Sequence, residues 1–119
     1  MMRSITENEI KEKLEEKFHR ELPERHGNFV IKTASYNDRT VSFYLIFEEN
    51  GNQYDYIELK KSLKDSMMES FIKNSDDENI KFIIEYGIKY RFIVKGNESN
   101  KTVEFFITPS EIEDAINLK

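Results

Sequence analysis

The sequence predicts a single α+β domain over residues 1–119, with a mostly antiparallel sheet of five or six strands and two or three helices. Three observations support this fold class. The chain has 119 residues, the length of one ordinary domain. Hydrophobic residues make up 38% and aromatic residues 13%, which is enough for a packed core. Helical and alternating apolar patterns follow one another in the order α-βββ-α-ββ-α, with one more strand if Gly87 forms a turn.

The first helix is predicted by a capping box, in which Thr6 precedes Glu9 by three residues. Ile5 stands where a hydrophobic staple would contact the first turn of this helix. One apolar face then recurs at every fourth residue, namely Ile10, Leu14, Phe18 and Leu22. Pro23 ends the helix, because proline cannot continue the pattern of backbone hydrogen bonds.

Three strands are predicted next. The apolar segments 29–36 and 40–47 are separated by a polar turn at residues 37–39. Asn50 and Gly51 then form the strongest short hairpin signal, because both central residues of a type I′ turn need positive φ. A two-residue turn at this point predicts a third strand over residues 53–59.

The second half of the chain combines two helices with further strands. An apolar stripe predicts a helix from Ser62 to Lys73, followed by an acidic loop over residues 74–79. Apolar residues alternate without interruption from Ile80 to Val94, which predicts a strand that is bent or divided at Gly87. Residues 102–107 form the last strand. Thr108, Pro109 and Glu111 then have the spacing of a helix start, and the C-terminal helix would carry Ile112, Ala115, Ile116 and Leu118.

The composition offers little for catalysis. The chain has no cysteine, two histidines and four glycines. Disulfides, thiolate zinc sites and a cysteine nucleophile therefore have no residue to form them. His19 and His26 do not have the spacing of a local metal site, and no glycine-rich phosphate loop is present. We expect no metal, no cofactor and no catalytic residue.

One constellation favours an enzyme. Asp38 precedes a predicted hairpin, and Glu58 and Lys60 form a Glu-x-Lys motif late in its second strand. This order of elements resembles metal-dependent nucleases of the PD-(D/E)xK superfamily. The resemblance implies that Asp38 and Glu58 hold Mg²⁺ while Lys60 steadies the attacking water. The register set by the Asn50 turn places Glu58 opposite Phe43, about 16 Å along the strand from Asp38, so the nuclease is the alternative interpretation.

The aromatic residues favour a partner. Both faces of the predicted first hairpin are apolar, whereas a small antiparallel sheet usually leaves one face in water. If helices cover only one face, part of the other can contact another protein; if helices cover both, no free surface remains. The candidate interface residues are Tyr44, Ile46, Tyr54 and Tyr56.

The charge of the chain supports the same interpretation. Its 23 acidic and 18 basic residues give a net charge of −5, which argues against direct binding to nucleic acid. No apolar stretch is long enough to span a membrane, and the lack of cysteines and of an apolar leader leads us to expect a cytoplasmic location.

The main prediction is a non-enzymatic protein-binding module. It would be a small acidic inhibitor, an immunity-type protein or a chaperone-like protein from a low-GC microbe, a phage or a mobile element. Its partner would be another protein, with a homodimer as one option. The element order is similar to that of type III secretion chaperones, a resemblance that implies a small acidic dimer.

Overall fold

The computed structural model describes residues 6–117 and contains a five-stranded sheet with four helices in that part of the chain. The predicted α+β class and the mostly antiparallel sheet are confirmed, although the helices number four rather than two or three. In chain order the elements are α1 (Glu7–Glu21), β1 (Glu24–His26), β2 (Phe29–Asn37), β3 (Thr40–Phe47), α2 (Tyr56–Lys73), α3 (Glu78–Glu85), β4 (Lys89–Gly96), β5 (Thr102–Ile107) and α4 (Pro109–Asn117).

The strands lie in the sheet in sequence order, β1-β2-β3-β4-β5. The β3–β4 pair is parallel, and the other three neighbouring pairs are antiparallel. A parallel pair needs a long crossover connection, which here contains α2 and α3. None of the helices in the described range is long and apolar enough to cross a membrane.

The predicted third strand over residues 53–59 is wrong. Asn50 and Gly51 do form a turn with positive φ values of 54° and 78°, but no strand follows it. Asp55 instead caps α2, because its side chain accepts a 2.9 Å hydrogen bond from the backbone N–H of Ile57. The second helix therefore begins six residues before Ser62, the start that the apolar stripe predicts.

The predicted strand from Ile80 to Val94 is also wrong in its first half, which forms α3. Asp77 caps this helix by accepting a 2.7 Å hydrogen bond from the backbone N–H of Asn79. Gly87 ends it with a φ of 64°. The N–H of Ile88 donates to the carbonyl of Ile83, which is the hydrogen bond of a Schellman motif. Gly87 is therefore a helix stop, and β4 begins two residues later.

The two predicted capping boxes are confirmed. The backbone N–H of Glu9 donates to the Thr6 hydroxyl at 3.2 Å, and Glu111 and Thr108 repeat this contact at the start of α4. The predictions for Ile5 and Leu118 lie outside the described residues. The short strand β1, which pairs with β2, was not predicted from the sequence.

The core lies between the helices and one face of the sheet. Phe43, Phe92 and Phe105 stack across β3, β4 and β5, with ring centroids 5.2 Å and 4.9 Å apart. From α1, Phe18 packs edge-on against Phe43, and from α2, Phe71 stacks on Tyr90. The helices α3 and α4 pack on the same side, so the described helices leave the opposite face of the sheet uncovered.

Candidate protein-binding surfaces

The residues predicted for a nuclease do not come together. Asp38 lies in the β2–β3 turn, whereas Glu58 and Lys60 lie in the first turns of α2, beyond the opposite end of β3. The eight residues of β3 separate these two ends by about 26 Å. Among residues 6–117, no group of three or more His, Asp or Glu side chains could hold a metal ion. The sequence prediction placed Glu58 and Lys60 in a strand. They lie in a helix instead, because Asp55 caps the start of α2.

The structure divides the four predicted interface residues into two pairs. Tyr44 and Ile46 lie on β3 and point to the uncovered face of the sheet, with Tyr44 40% exposed. Tyr54 packs against Phe47 on the opposite face, at a ring separation of 4.6 Å. Tyr56 is only 8% exposed and belongs to the core. The predicted hairpin, which placed Tyr44 and Ile46 on one face and Tyr54 and Tyr56 on the other, does not form.

An apolar groove opens on the helix side of the sheet. It has a volume of about 440 Å³, and we call it the helix-side groove; its lining residues are His26, Phe29, Ile31, Leu45, Leu63, Ser66, Met67 and Ser70. The strands β2 and β3 form its floor and α2 forms a wall. The groove exists because α1 packs on β2 while α2 packs towards β5, so the helices diverge.

The chemistry of the helix-side groove suits an apolar segment. Its floor consists of aromatic and branched aliphatic side chains, and the flexible thioether of Met67 can adapt to differently shaped occupants. Ser66 and Ser70 supply hydroxyl groups near the α2 wall. Grooves of this kind accept the apolar side of a partner helix or peptide.

The second surface is the uncovered face of the sheet, which we call the open sheet face. Strand alternation and the pairing register direct towards it the side chains of Arg25, Val30, Ser42, Tyr44, Ile46, Lys89, Arg91, Ile93, Lys95, Glu104 and Phe106. Arg91 and Glu104 form an ion pair across β4 and β5 at 2.8 Å. The hydrogen bond from the Arg91 guanidinium lowers the pKa of the Glu104 carboxyl below its ordinary value.

A buried carboxylate joins two loops at one end of the sheet. Glu49 is 2% exposed, and its Oε1 accepts hydrogen bonds from the backbone N–H groups of Glu98 at 2.9 Å and Ser99 at 2.8 Å. In return, the Glu98 carboxylate accepts from the N–H of Gly51. The hydrogen bond from Ser99 is the main cause that lowers the pKa of Glu49 to about 2.

The low pKa of Glu49 predicts a loss of stability in acid. The pKa is about 2 in the folded protein against an ordinary 4.5, so its stabilising contribution is complete above pH 4.5 and disappears as the pH falls to about 2. We expect the melting temperature of the wild type to fall more steeply between about pH 5 and about pH 2.5 than that of Glu49→Gln, whose amide does not titrate. Parallel melting curves across this range would contradict the prediction.

The helix-side groove was not found from the sequence. The apolar stripe of α2 predicted that Leu63 and Met67 face other apolar residues. It did not show that these residues are Phe29 and Ile31, because β2 and α2 are distant in the sequence. Predicting the groove would have required knowing that β3 pairs with β4 across the segment that contains α2 and α3, and no local sequence pattern indicates this pairing.

No protein-family model matches the chain, and no curated protein sequence matches it. Solved structures do. The type II secretion system pilotin AspS from Vibrio cholerae has a TM-score of 0.62 and 19% identity, over 86% of this chain and 88% of that one. The type 2 secretion system pilotin EpsS from Vibrio vulnificus has a TM-score of 0.56 and 17% identity, over 88% and 96%. A protein from Pseudomonas aeruginosa that is assigned as secreted has a TM-score of 0.60 and 9% identity, over 87% and 89%. The chain shares their fold.

These structures correct the expectation of a cytoplasmic location, which is wrong. The solved structures with this fold are two secretion-system pilotins and a protein assigned as secreted, so the fold does not indicate a cytoplasmic protein. The lack of cysteine did not indicate the compartment, because a chain with this many buried apolar residues needs no disulfide to fold. The same structures give no support to an inhibitor, a phage protein or a homodimer.

Proposed function

We propose that the protein is a non-enzymatic, pilotin-like binding module that holds an apolar segment of another protein in the helix-side groove. The observation that carries the proposal is the groove itself, with its apolar floor of Phe29, Ile31 and Leu45. A folded domain seldom leaves such a concave apolar surface without an occupant. Its volume of about 440 Å³ accommodates a few apolar side chains of a partner.

The shared fold supports this proposal. Two of the proteins with this fold are pilotins of type II secretion systems, and pilotin names a role in a secretion system. A pilotin-like role is compatible with the separation of Asp38 from Glu58, since binding requires no cluster of catalytic carboxylates. The chaperone-like part of the sequence prediction is retained here in this more specific form.

Photo-crosslinking from adjacent positions of α2 tests the proposal. Ser70 lines the groove, whereas Glu69 is exposed and lies outside the lining. A photoreactive phenylalanine derivative is introduced at either position in cells of the source organism, and the adducts are identified by mass spectrometry. We expect one defined protein adduct from position 70, through a mainly apolar segment, and no such adduct from position 69.

A charge in the groove provides the matched measurement. Met67→Glu places a carboxylate against the apolar wall, and we expect binding of the crosslinked segment to weaken by about tenfold or more, because the charge must be desolvated there. Glu69→Lys is the control, and its affinity should stay within about twofold of wild type. If position 70 gives no adduct, or Met67→Glu binds as well as wild type while still folded, the groove is not the binding site.

A further inference from the structure

An apolar band crosses the open sheet face. Tyr44 lies opposite Ile93 in the β3–β4 register, Ile46 is the next residue of β3 on the same face, and Phe106 is the diagonal neighbour of Ile93 on β5. Tyr44 and Phe106 are 40% and 39% exposed. The band therefore runs obliquely over three strands without a covering element from the described chain.

Cations flank the apolar band on both sides. Lys95 lies opposite Ile46, at one side of the band, while Arg91 and Lys89 follow on the other side along β4. Arg91 is already paired with Glu104. Lys89 lies over the ring of Phe106, at 5.4 Å from its centroid, and neither lysine forms an ion pair with the described residues.

The open sheet face carries more cations than carboxylates. The open sheet face carries four cations, and two of them are neutralised, because Arg25 pairs with Glu48 and Arg91 pairs with Glu104. Lys89 and Lys95 remain as an excess of positive charge, in a chain whose net charge is −5. Random scatter of charges would give this face the same acidic excess as the rest of the surface. A cationic surface on an acidic protein selects anionic partners and repels basic ones.

We propose that the open sheet face binds an acidic amphipathic helix of a partner protein. The apolar stripe of that helix would pack on Tyr44, Ile46, Ile93 and Phe106, and carboxylates on both sides of the stripe would reach Lys89 and Lys95. Helices are the elements that normally cover an apolar sheet face, so the occupant would complete a three-layer arrangement. This surface is separate from the helix-side groove, and the proposal goes beyond the proposed function.

The geometry favours a helix over a lipid bilayer. The exposed aromatic side chains, Tyr44 and Phe106, both lie within strands and are no more than 40% exposed, so neither projects far beyond its neighbours. Elements that insert into the interfacial region bury a whole apolar face by about 5–10 Å, which a broad sheet surface flanked by charged side chains does not offer. The sheet surface is instead suited to packing at the usual distance between a sheet and an adjacent layer.

Two synthetic peptides test the choice of partner. Both carry the same leucine stripe on a helix, flanked by glutamates in one peptide and by lysines in the other. In an NMR titration of the full chain, we expect the glutamate peptide to shift the amide signals of Tyr44, Ile93 and Phe106. It should bind at least about tenfold more tightly than the lysine peptide at low salt, and the difference should shrink at high salt.

Charge reversal identifies the surface. We expect Lys89→Glu combined with Lys95→Glu to weaken binding of the glutamate peptide by about tenfold or more. Lys61→Glu combined with Lys81→Glu changes the net charge equally, on the exposed sides of α2 and α3, and should leave the affinity within about twofold.

Several results would overturn the proposal. Equal binding of the two peptides, or equal loss in both double variants, would remove the charge argument. Binding to phosphatidylglycerol vesicles or to single-stranded RNA without binding to the glutamate peptide would assign the face to another class of partner. Concentration-dependent dimerisation that Lys89→Glu and Lys95→Glu abolish would assign it to a second copy of this chain. Crosslinking from Ser70 reports on the groove and is independent of all these results.

Discussion

Replacing Phe92 by alanine is expected to destabilise the protein by about 3–5 kcal/mol. Phe92 is 3% exposed and stands in the centre of the sheet, with the rings of Phe43 and Phe105 stacked at 5.2 Å and 4.9 Å on either side. Alanine would remove both ring contacts and leave a cavity that the surrounding strands cannot close. Urea unfolding measured by circular dichroism should show a lower midpoint with an unchanged slope.

Phe106→Ala is the matched control for this prediction. Phe106 is on the neighbouring strand β5, but it points to the open sheet face and is 39% exposed. The expected loss is about 1 kcal/mol or less, because little apolar surface returns to water. If the two variants lost similar stability, the open sheet face would have to be covered as thoroughly as the helix side, contrary to the structure.

The elements predicted correctly are those with a signal at their own ends. Thr6 with Glu9, and Thr108 with Glu111, satisfy free backbone groups within one turn, so these contacts form whatever the rest of the chain does. The β2–β3 turn belongs to the same class, since Asp38 and Arg39 adopt the positive φ values of 48° and 58° that a tight hairpin needs. Local energetics alone specify these elements.

Apolar alternation led to the wrong prediction of a strand at α3, because this helix is short and has apolar residues on most of its sides. In the eight-residue helix α3, Ile80 and Ile83 are buried, while Phe82 and Ile84 are partly buried. With so many apolar positions in so short a segment, a period of two and a period of 3.6 cannot be distinguished. Asp77 and Gly87 were the better signals, because a cap and a glycine stop bound a helix of this length.

The pairing of β3 with β4 had no sequence signal at all. Asn50 and Gly51 indicated a hairpin, but Asp55 caps a helix in the same segment and removes the strand that the hairpin required. β3 then pairs with a strand more than forty residues later in the chain. This non-local pairing determines both candidate surfaces, since it places α2 away from Ile31 and leaves Tyr44 uncovered.

Gly96→Ala is expected to destabilise the protein by about 1–3 kcal/mol, because a methyl group has no space at this position. A Cβ atom at Gly96 would overlap the hydroxyl of Tyr56 and lie 2.6 Å from Oε1 of Glu49. Glu49 is held by the N–H groups of Glu98 and Ser99, so it cannot move aside without losing those hydrogen bonds. Thermal unfolding of the variant at neutral pH measures the loss.

A double-mutant cycle with Tyr56→Phe shows whether the overlap is the cause. The buried Tyr56 hydroxyl lies beside Glu49 and Ser99 and interacts with both, but it forms no hydrogen bond of ordinary geometry in the part of the chain that the structure describes. Its removal alone should therefore change stability by about 1 kcal/mol or less. In the Gly96→Ala background the same removal should recover about 1 kcal/mol or more, since the two groups compete for one space. Additive effects would mean that the methyl group is accommodated by movement of the strand, and that the close approach of Gly96 to Tyr56 does not limit the packing at this end of the sheet.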